Sequence, residues 1–438
     1  MTHPFGRAGQ PARHRELPPG LSDRLPAEAR RLHAVRESCL TELERWGYRL
    51  LTTPLLEHAD TFEPALPDPG DETFLYRFVD RTTGHVLAIR ADFTPQVARV
   101  VGTRFQGATL PLRLCYEGSV VRHVPERRGM SREIPQVGAE FLGVVDPEAD
   151  AEGIALVVAC LRSAGVTGFK VDLGQVEFFR GIVGDLDFSP EDLETLRNAV
   201  ARKDLSDLER ILSDLPIPDR RKEILAELPL LAGGTEVLDR ASDLVDTAHS
   251  LRALENLARV VELVGVHGQA EHITVDLGEI RGIDYHTGVI YEAFVPHVAT
   301  PLVRGGRYDR LCGAYGRELA ATGFSLDLAA VLAALGPAEP RAEGVFLINF
   351  EPDRRRALLL ARRLRHAGAR AARDLIRRPL DESLAHAKAQ GFRWALVVDP
   401  KVAPRVRWID LLTGGTEVLT EDDAASRAGD AGASACRT

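Results

Sequence analysis

Residues 113–143 read RLCYEGSVVRHVPERRGMSREIPQVGAEFLG. The stretch enters on an alternating apolar run (Leu112, Leu114, Tyr116) and leaves on another (Ile134, Val137, Phe141), with the charged loop VPERRGMS between them. Two segments of period two joined by a Gly- and Pro-bearing loop predict an antiparallel hairpin. Arg122, Arg132, Gln136 and Glu140 fall at even positions, which in a strand point to one face. Guanidinium, amide and carboxylate would then share a surface. Both signs of charge plus an amide suit a zwitterion better than a lipid or a metal ion. A solvated sheet face accounts for any one of these residues, but less well for a face with few Lys or Ser opposite an apolar one.

Outward from the hairpin, 438 residues are enough for two or three domains with ample core. Apolar residues make up 45% and charged residues 27%, and no apolar run approaches the ~20 residues of a membrane span. The N-terminal MTHPFGRAGQPARHREL has no apolar h-region, so a secretory signal is not expected. Five cysteines without metal-like spacing point to a reducing, cytoplasmic setting. The net charge of −9 speaks against a protein that coats nucleic acid. That charge is uneven, because residues 341–420 carry 16 Lys/Arg against 9 Asp/Glu.

Along the chain, residues 1–19 are Pro-, Gly- and Arg-rich and expected to be flexible. Pro26 opens a helix with apolar residues at three- and four-residue steps up to Trp46, and YRLLTTPLLE follows as a strand ending near Pro54. FLYRFVD and HVLAIR predict a second hairpin, and ADFTPQVARVVG a helix with Thr94 as N-cap and Pro95 in its first position. About residues 189–266 the pattern is that of an inserted helical layer, opened by Ser189-Pro190-Glu191-Asp192. The sheet resumes through ITVDLGEIRGIDYHTGVIYEAFV, PLVRGGRYDRL and GFSLDLAAVLAAL. Beyond the linker GPAEPRAEG, residues 344–420 predict a small α/β domain, with Trp394 and Trp408 in its core. The polar tail 421–438 is expected to be disordered.

Taken together, these segments carry a resemblance. From about Gly20 to Leu335 the chain resembles the catalytic core of class II histidyl-tRNA synthetases, and residues 344–420 resemble their anticodon-binding domain. The resemblance rests on the first helix and strand ending at Pro54, the hairpin around Arg122, RGIDYHTG, GGRYD and the Gly-Phe strand leading into a helix. It implies an α+β fold: an antiparallel sheet flanked by helices, normally dimeric, plus the small C-terminal domain. Within that superfamily ADFTPQVAR most resembles the regulatory subunits of ATP phosphoribosyltransferase. Those are synthetase paralogues that partner a short catalytic subunit at the first step of histidine biosynthesis.

Departures from the synthetase pattern favour the regulatory branch. The glutamate expected two residues after Arg122 is Val124, and the Gly-x-Glu-Arg run of the third motif is Asp327-Leu328-Ala329-Ala330. Removing a charge-assisted hydrogen bond costs about 1.5–3 kcal/mol, and several are missing here, so aminoacyl-adenylate formation is not expected. The amino-acid half of the site is retained. By resemblance, Asp92 and Thr94 hold the α-amino group, Gln136 and Arg281 meet the carboxylate, and Glu140 accepts the imidazole N–H. Arg122, Tyr285 and Tyr308 complete the pocket, and His286 stands where the enzymes have a second tyrosine. The resemblance thus implies a histidine-binding regulator with no catalytic residue, cofactor or metal. Its implied partners are the short-form catalytic subunit and L-histidine as effector, in a hetero-oligomer containing a self-dimer, with no membrane or nucleic acid. Two alternatives stand beside it. One is an active histidyl-tRNA synthetase. The other is a synthetase-like RNA-binding sensor, which the basic residues of 341–420 would serve.

Overall fold

The computed structural model describes residues 16–65, 75–123, 131–280, 285–337 and 342–435. The chain forms two compact units that divide after Pro337.

In the first unit, helix α1 (Pro26–Arg45) turns its apolar stripe of Leu32, Val35, Cys39 and Leu43 into the core. Strands β1 (Arg49–Leu50), β2 (Leu56–His58), β3 (Arg77–Val79) and β4 (Val86–Ile89) follow, and β2-β4-β3 form a small antiparallel sheet. Helix α2 (Thr94–Arg104) leads into the long hairpin β5 (Leu112–Val121) and β6 (Glu133–Leu142). Next come α3 (Pro147–Ser163), β7 (Lys170–Gln175) and α4 (Val176–Val183). The inserted layer comprises α5 (Pro190–Arg202), α6 (Leu205–Asp214), α7 (Asp219–Glu227), strand β8 (Ala232–Gly233), α8 (Glu236–Leu244) and α9 (Ala248–Val266). The Ser189 hydroxyl accepts the Asp192 N–H at 3.0 Å, the capping bond the sequence called for. Strands β9 (Ile273–Asp276), β10 (Val289–Phe294), β11 (Val303–Arg307) and β12 (Ala321–Asp327) and helix α10 (Leu328–Ala334) close the unit.

The main sheet has nine strands in the order β1-β5-β6-β12-β11-β10-β7-β9-β8. It is mixed, not purely antiparallel. The pairs β1–β5 and β7–β9 run parallel, because crossover connections bring β5 back beside β1 and the helical insertion returns β9 beside β7. The centre, from β5 to β10, is antiparallel and carries the functional residues. Register in the hairpin sets Leu114 opposite Glu140, Tyr116 opposite Gly138 and Gly118 opposite Gln136. Residues facing the other way (Cys115, Val137, Ala139) pack under α1 and α3 in a single large core. Arg132 uses its backbone N–H on the Gly20 carbonyl at the hairpin's outer end and is not among the residues lining the cavity.

The second unit is a five-stranded sheet, β14-β13-β15-β16-β17, built from β13 (Val345–Asn349), α11 (Arg355–His366), β14 (Ala371–Arg373), α12 (Leu380–Ala389), β15 (Trp394–Val398), β16 (Val406–Asp410) and β17 (Thr416–Leu419). Trp408 is buried and Trp394 half-buried against it. The expectation of a disordered tail is corrected here. Glu421–Ala435 form helix α13, with Ala424 and Ala428 buried in the core of this unit. Small residues four apart let α13 lie close to α11, and Glu421 accepts from Arg356 at 2.7 Å while Asp422 pairs with Arg363. Composition alone read the Ala/Gly/Ser content as non-packing.

Candidate functional site

Glu140 is the deepest charged residue of the sheet, 1% exposed, and three hydroxyls converge on it. Thr94 Oγ1 donates to Oε1 at 2.7 Å, the Tyr116 hydroxyl to the same oxygen at 3.3 Å, and the Tyr308 hydroxyl to Oε2. These donors come from α2, β5 and the turn after β11. Two glycines make room for the cluster. A Cβ on Gly323, the cross-strand partner of Glu140, would come within 1.6 Å of Oε2, and one on Gly138 within 2.4 Å of the Tyr116 ring. Burial pushes the Glu140 carboxyl up to about 8; the hydroxyls pull it down and neighbouring Asp92 adds repulsion. Burial thus favours the protonated carboxyl at neutral pH, and a cationic or strongly donating ligand would favour release of the proton.

Thr94 does not cap α2 as expected. The helix begins at Thr94 with no side-chain capping bond, because its hydroxyl is spent on Glu140. Asp92 does the local work instead, accepting the Thr94 N–H at 2.8 Å while its other oxygen takes Arg122 at 3.2 Å. Arg122 is further fixed by donating from Nε to the Ala91 carbonyl at 2.8 Å. Tyr285 stacks on Tyr308 with centroids 5.5 Å apart and meets His286 edge-on at 4.9 Å. The His286 Nδ1 lies 3.2 Å from the Arg307 carbonyl, which can only accept. Nδ1 therefore carries the hydrogen, and Nε2 is left as an acceptor. Burial lowers this imidazole to about 4, so it stays neutral at physiological pH.

These groups surround a cavity of about 290 Å³. Asp92, Thr94, Arg122, Gln136, Tyr285, His286 and Tyr308 line it, and Glu140 lies behind the hydroxyls of Thr94 and Tyr308. Arg281 and Val124 lie outside the described residues. Sequence reasoning placed Tyr116 only in an apolar run, yet its hydroxyl reaches Glu140. Only the register of the hairpin, which sets this large ring opposite Gly138, a residue without a side chain, reveals that role. Phe93 backs that ring, stacked at 4.3 Å, and the Arg90 guanidinium lies 3.9 Å over Phe93. Arg307 was missed as well. Its Nε donates to buried Asp150 at 2.9 Å and a terminal N–H to the Val144 carbonyl at 3.1 Å, which anchors the end of β11 before Tyr308.

The rest of the lining toward the end of β12 differs in chemistry. It is formed by Arg304, Gly305, Gly306, Ser325 and Asp327. The Asp327 carboxylate accepts the N–H groups of Ala329 and Ala330 at 2.9 and 3.0 Å, capping α10. Ala330 is buried in the core and does not line the cavity. Arg304 donates to Glu292 at 2.8 Å. Among the described residues no group of three or more His, Cys, Asp or Glu could hold a metal ion, and no helix is long and apolar enough to cross a membrane.

Fold and site define a class II protein of the histidyl-tRNA synthetase type, and the family model described as Histidyl-tRNA synthetase matches residues 20–331. A solved histidyl-tRNA synthetase from Nostoc sp. PCC 7120 superposes with a TM-score of 0.80 at 19% identity, over 95% of this chain and 99% of that one, which establishes the fold. More similar in sequence is an ATP phosphoribosyltransferase regulatory subunit of Syntrophotalea carbinolica, 43% identical over 92% of this chain and 95% of the relative. The counterpart from Geobacter sulfurreducens is 41% identical over 87% and 88% of the two chains. A crystal structure described as an ATP phosphoribosyltransferase regulatory subunit/histidyl-tRNA synthetase from Bacillus halodurans C has a TM-score of 0.76 at 28% identity, over 85% of this chain and 96% of that one. The chain belongs to the family of ATP phosphoribosyltransferase regulatory subunits.

Proposed function

We propose that the chain is the non-catalytic regulatory subunit of an ATP phosphoribosyltransferase in histidine biosynthesis, and that its cavity is the site where L-histidine acts as feedback effector. Family membership supports the first half. The observation that carries the second is the buried Glu140 under three hydroxyls, beside a cavity whose lining also holds a capping carboxylate, Asp327, where a synthetase would need cations. In this reading Glu140 accepts an imidazole N–H, and the hydroxyls of Thr94, Tyr116 and Tyr308 stabilise the charge it then carries. Asp92 meets the α-ammonium, Gln136 and Arg281 the carboxylate, and neutral His286 offers its Nε2 to a donor. Tyr285 and Tyr308 flank the ring.

Regulation follows as linkage. Histidine shifts the assembly only by binding its less active arrangement more tightly, and catalytic-site ligands must weaken histidine binding by the same factor. The partner is the short catalytic subunit, met in a hetero-oligomer within the cytoplasm that also contains a self-dimer of this chain. Co-purification with the short catalytic subunit, assayed with and without histidine, tests the reading. Association with histidine-sensitive activity is expected; association with histidine-insensitive activity would remove the effector assignment while keeping the partner.

A further inference from the structure

The second unit contains a cavity that the histidine reading leaves unused. It has a volume of about 110 Å³, and Arg354, Arg373, Arg377 and Arg378 all lie on its wall. It sits past the carboxyl ends of the parallel strands β13 and β14, the side of an open α/β sheet where ligands bind. The wall's carboxylates are already engaged. Asp374 accepts from the Ile376 N–H at 3.0 Å and the Ser383 hydroxyl at 2.7 Å, and Glu351 accepts from Arg356 at 2.7 Å. The buried Arg378 Nε lies 3.3 Å from Asp374 but makes no hydrogen bond of proper geometry.

Three guanidiniums remain uncompensated. Among the described residues Arg373 and Arg377 have no carboxylate partner, and Arg354 reaches only the Leu375 carbonyl at 3.4 Å. Their neighbours are treated differently: Arg355 pairs with Asp353 at 3.0 Å, and Arg356 with Glu351 and Glu421 at 2.7 Å. Like charges gathered on one small polar cavity repel, and a bound anion would relieve that repulsion. A single carboxylate would balance one of the three. A diphosphate would balance about three, and its oxygens match planar forks bidentately. Phe350, Leu375 and Ile376, which are 40%, 63% and 65% exposed, give the adjoining surface an apolar character.

We propose that this cavity binds a diphosphate group, either as free pyrophosphate or as the diphosphate end of a nucleotide. The inference is independent of the histidine site. Calorimetry on the full chain with pyrophosphate and with ADP, at physiological ionic strength, tests it. Saturable, mutually competitive binding of both probes is expected. Tighter binding of ADP assigns the nucleotide source, and equal or weaker binding assigns the free anion. Arg373→Gln combined with Arg377→Gln should weaken both probes about tenfold or more, since two charge-assisted hydrogen-bond donors are removed. The double variant should melt no lower than the wild type, because neither residue loses a carboxylate partner, and a control at an exposed arginine in the β3–β4 turn of the first unit, Arg81→Gln, should bind normally. No saturable binding at millimolar probe, or undiminished affinity in the double variant, would overturn the proposal. So would a short single-stranded RNA that binds and is not displaced by saturating pyrophosphate, since the surface would then serve a nucleic-acid backbone.

Discussion

Two carboxyls of the main cavity stand on the paired strands β6 and β12 and are held by different chemistry. On one wall, Glu140 is held by hydroxyls from three separate segments, and two glycines keep the space it needs. On the other, Asp327 turns its carboxylate onto two backbone N–H groups, and Ala330 is sealed into the core behind it. The first wall costs the fold something, since a carboxyl is buried and its protonation distorted. The second costs less: burial also raises the Asp327 carboxyl, but the two backbone N–H groups at the helix start pull it back down. In the proposed reading the Glu140 wall is the part that recognises the amino acid, and the Asp327 wall is not.

The largest expected effect tests whether the second wall can be reverted. Ala330→Arg would bury a guanidinium without a partner, at a cost on the order of several kcal/mol. Denaturant unfolding should show that loss, and pyrophosphate–ATP exchange should stay at background with histidine, in the variant as in the wild type. A stable variant with histidine-dependent exchange would erase the contrast.

Next in size is the first wall. Glu140→Ala should weaken histidine binding by about 1–3 kcal/mol, read by calorimetry, because a buried acceptor is removed. Unchanged affinity would place the imidazole elsewhere.

The contrast also has a pH signature. The Glu140 carboxyl is raised from 4.5 to about 8, so its contribution to stability is complete below pH 4.5 and is lost as pH rises toward 8. His286 acts oppositely over a lower range. Its imidazole is lowered from 6.5 to about 4, so its contribution is present above 6.5 and is lost as pH falls toward 4. Between pH 6.5 and 8 the Glu140 effect therefore stands alone of the two and amounts to at most about 2 kcal/mol. The apo-protein's melting temperature should fall across that window, and Glu140→Gln should flatten the slope. An equal slope in the variant would assign the titration to another group.

The smallest expected effect concerns the cap. Asp327→Ala should cost about 1 kcal/mol of stability and leave histidine affinity unchanged. Lost affinity would mean that the second wall also touches the effector.

Much of this was legible in the chain. The hairpin followed from period-two burial and its loop, because strand geometry writes itself directly into alternation. Asp327-Leu328-Ala329-Ala330 could be read as a vacated phosphate clamp because charge is a property of the residue itself. Other features were not readable. The role of Tyr116 depends on which residue faces it across the hairpin, and its neighbours along the chain carry no sign of that. Thr94 looked like a cap because local preference favours threonine there, and the tertiary demand of Glu140 prevailed. Helix α13 looked like loose tail because Ala, Gly and Ser pack only when a matching surface is present, and α11 supplies it.

The sequence by itself determined the two hairpins, the helical insertion, the two-unit division and which charged groups of a synthetase are missing. Each follows from periodicity, composition or residue identity over short distances. Only the tertiary structure decided that Glu140 is buried under three hydroxyls, that burial raises its carboxyl, and that His286 is a neutral acceptor. Those properties are collective. Desolvation and hydrogen-bond satisfaction depend on what every neighbouring element removes from water, and the neighbours here come from α2, β5, β12 and the turn after β11.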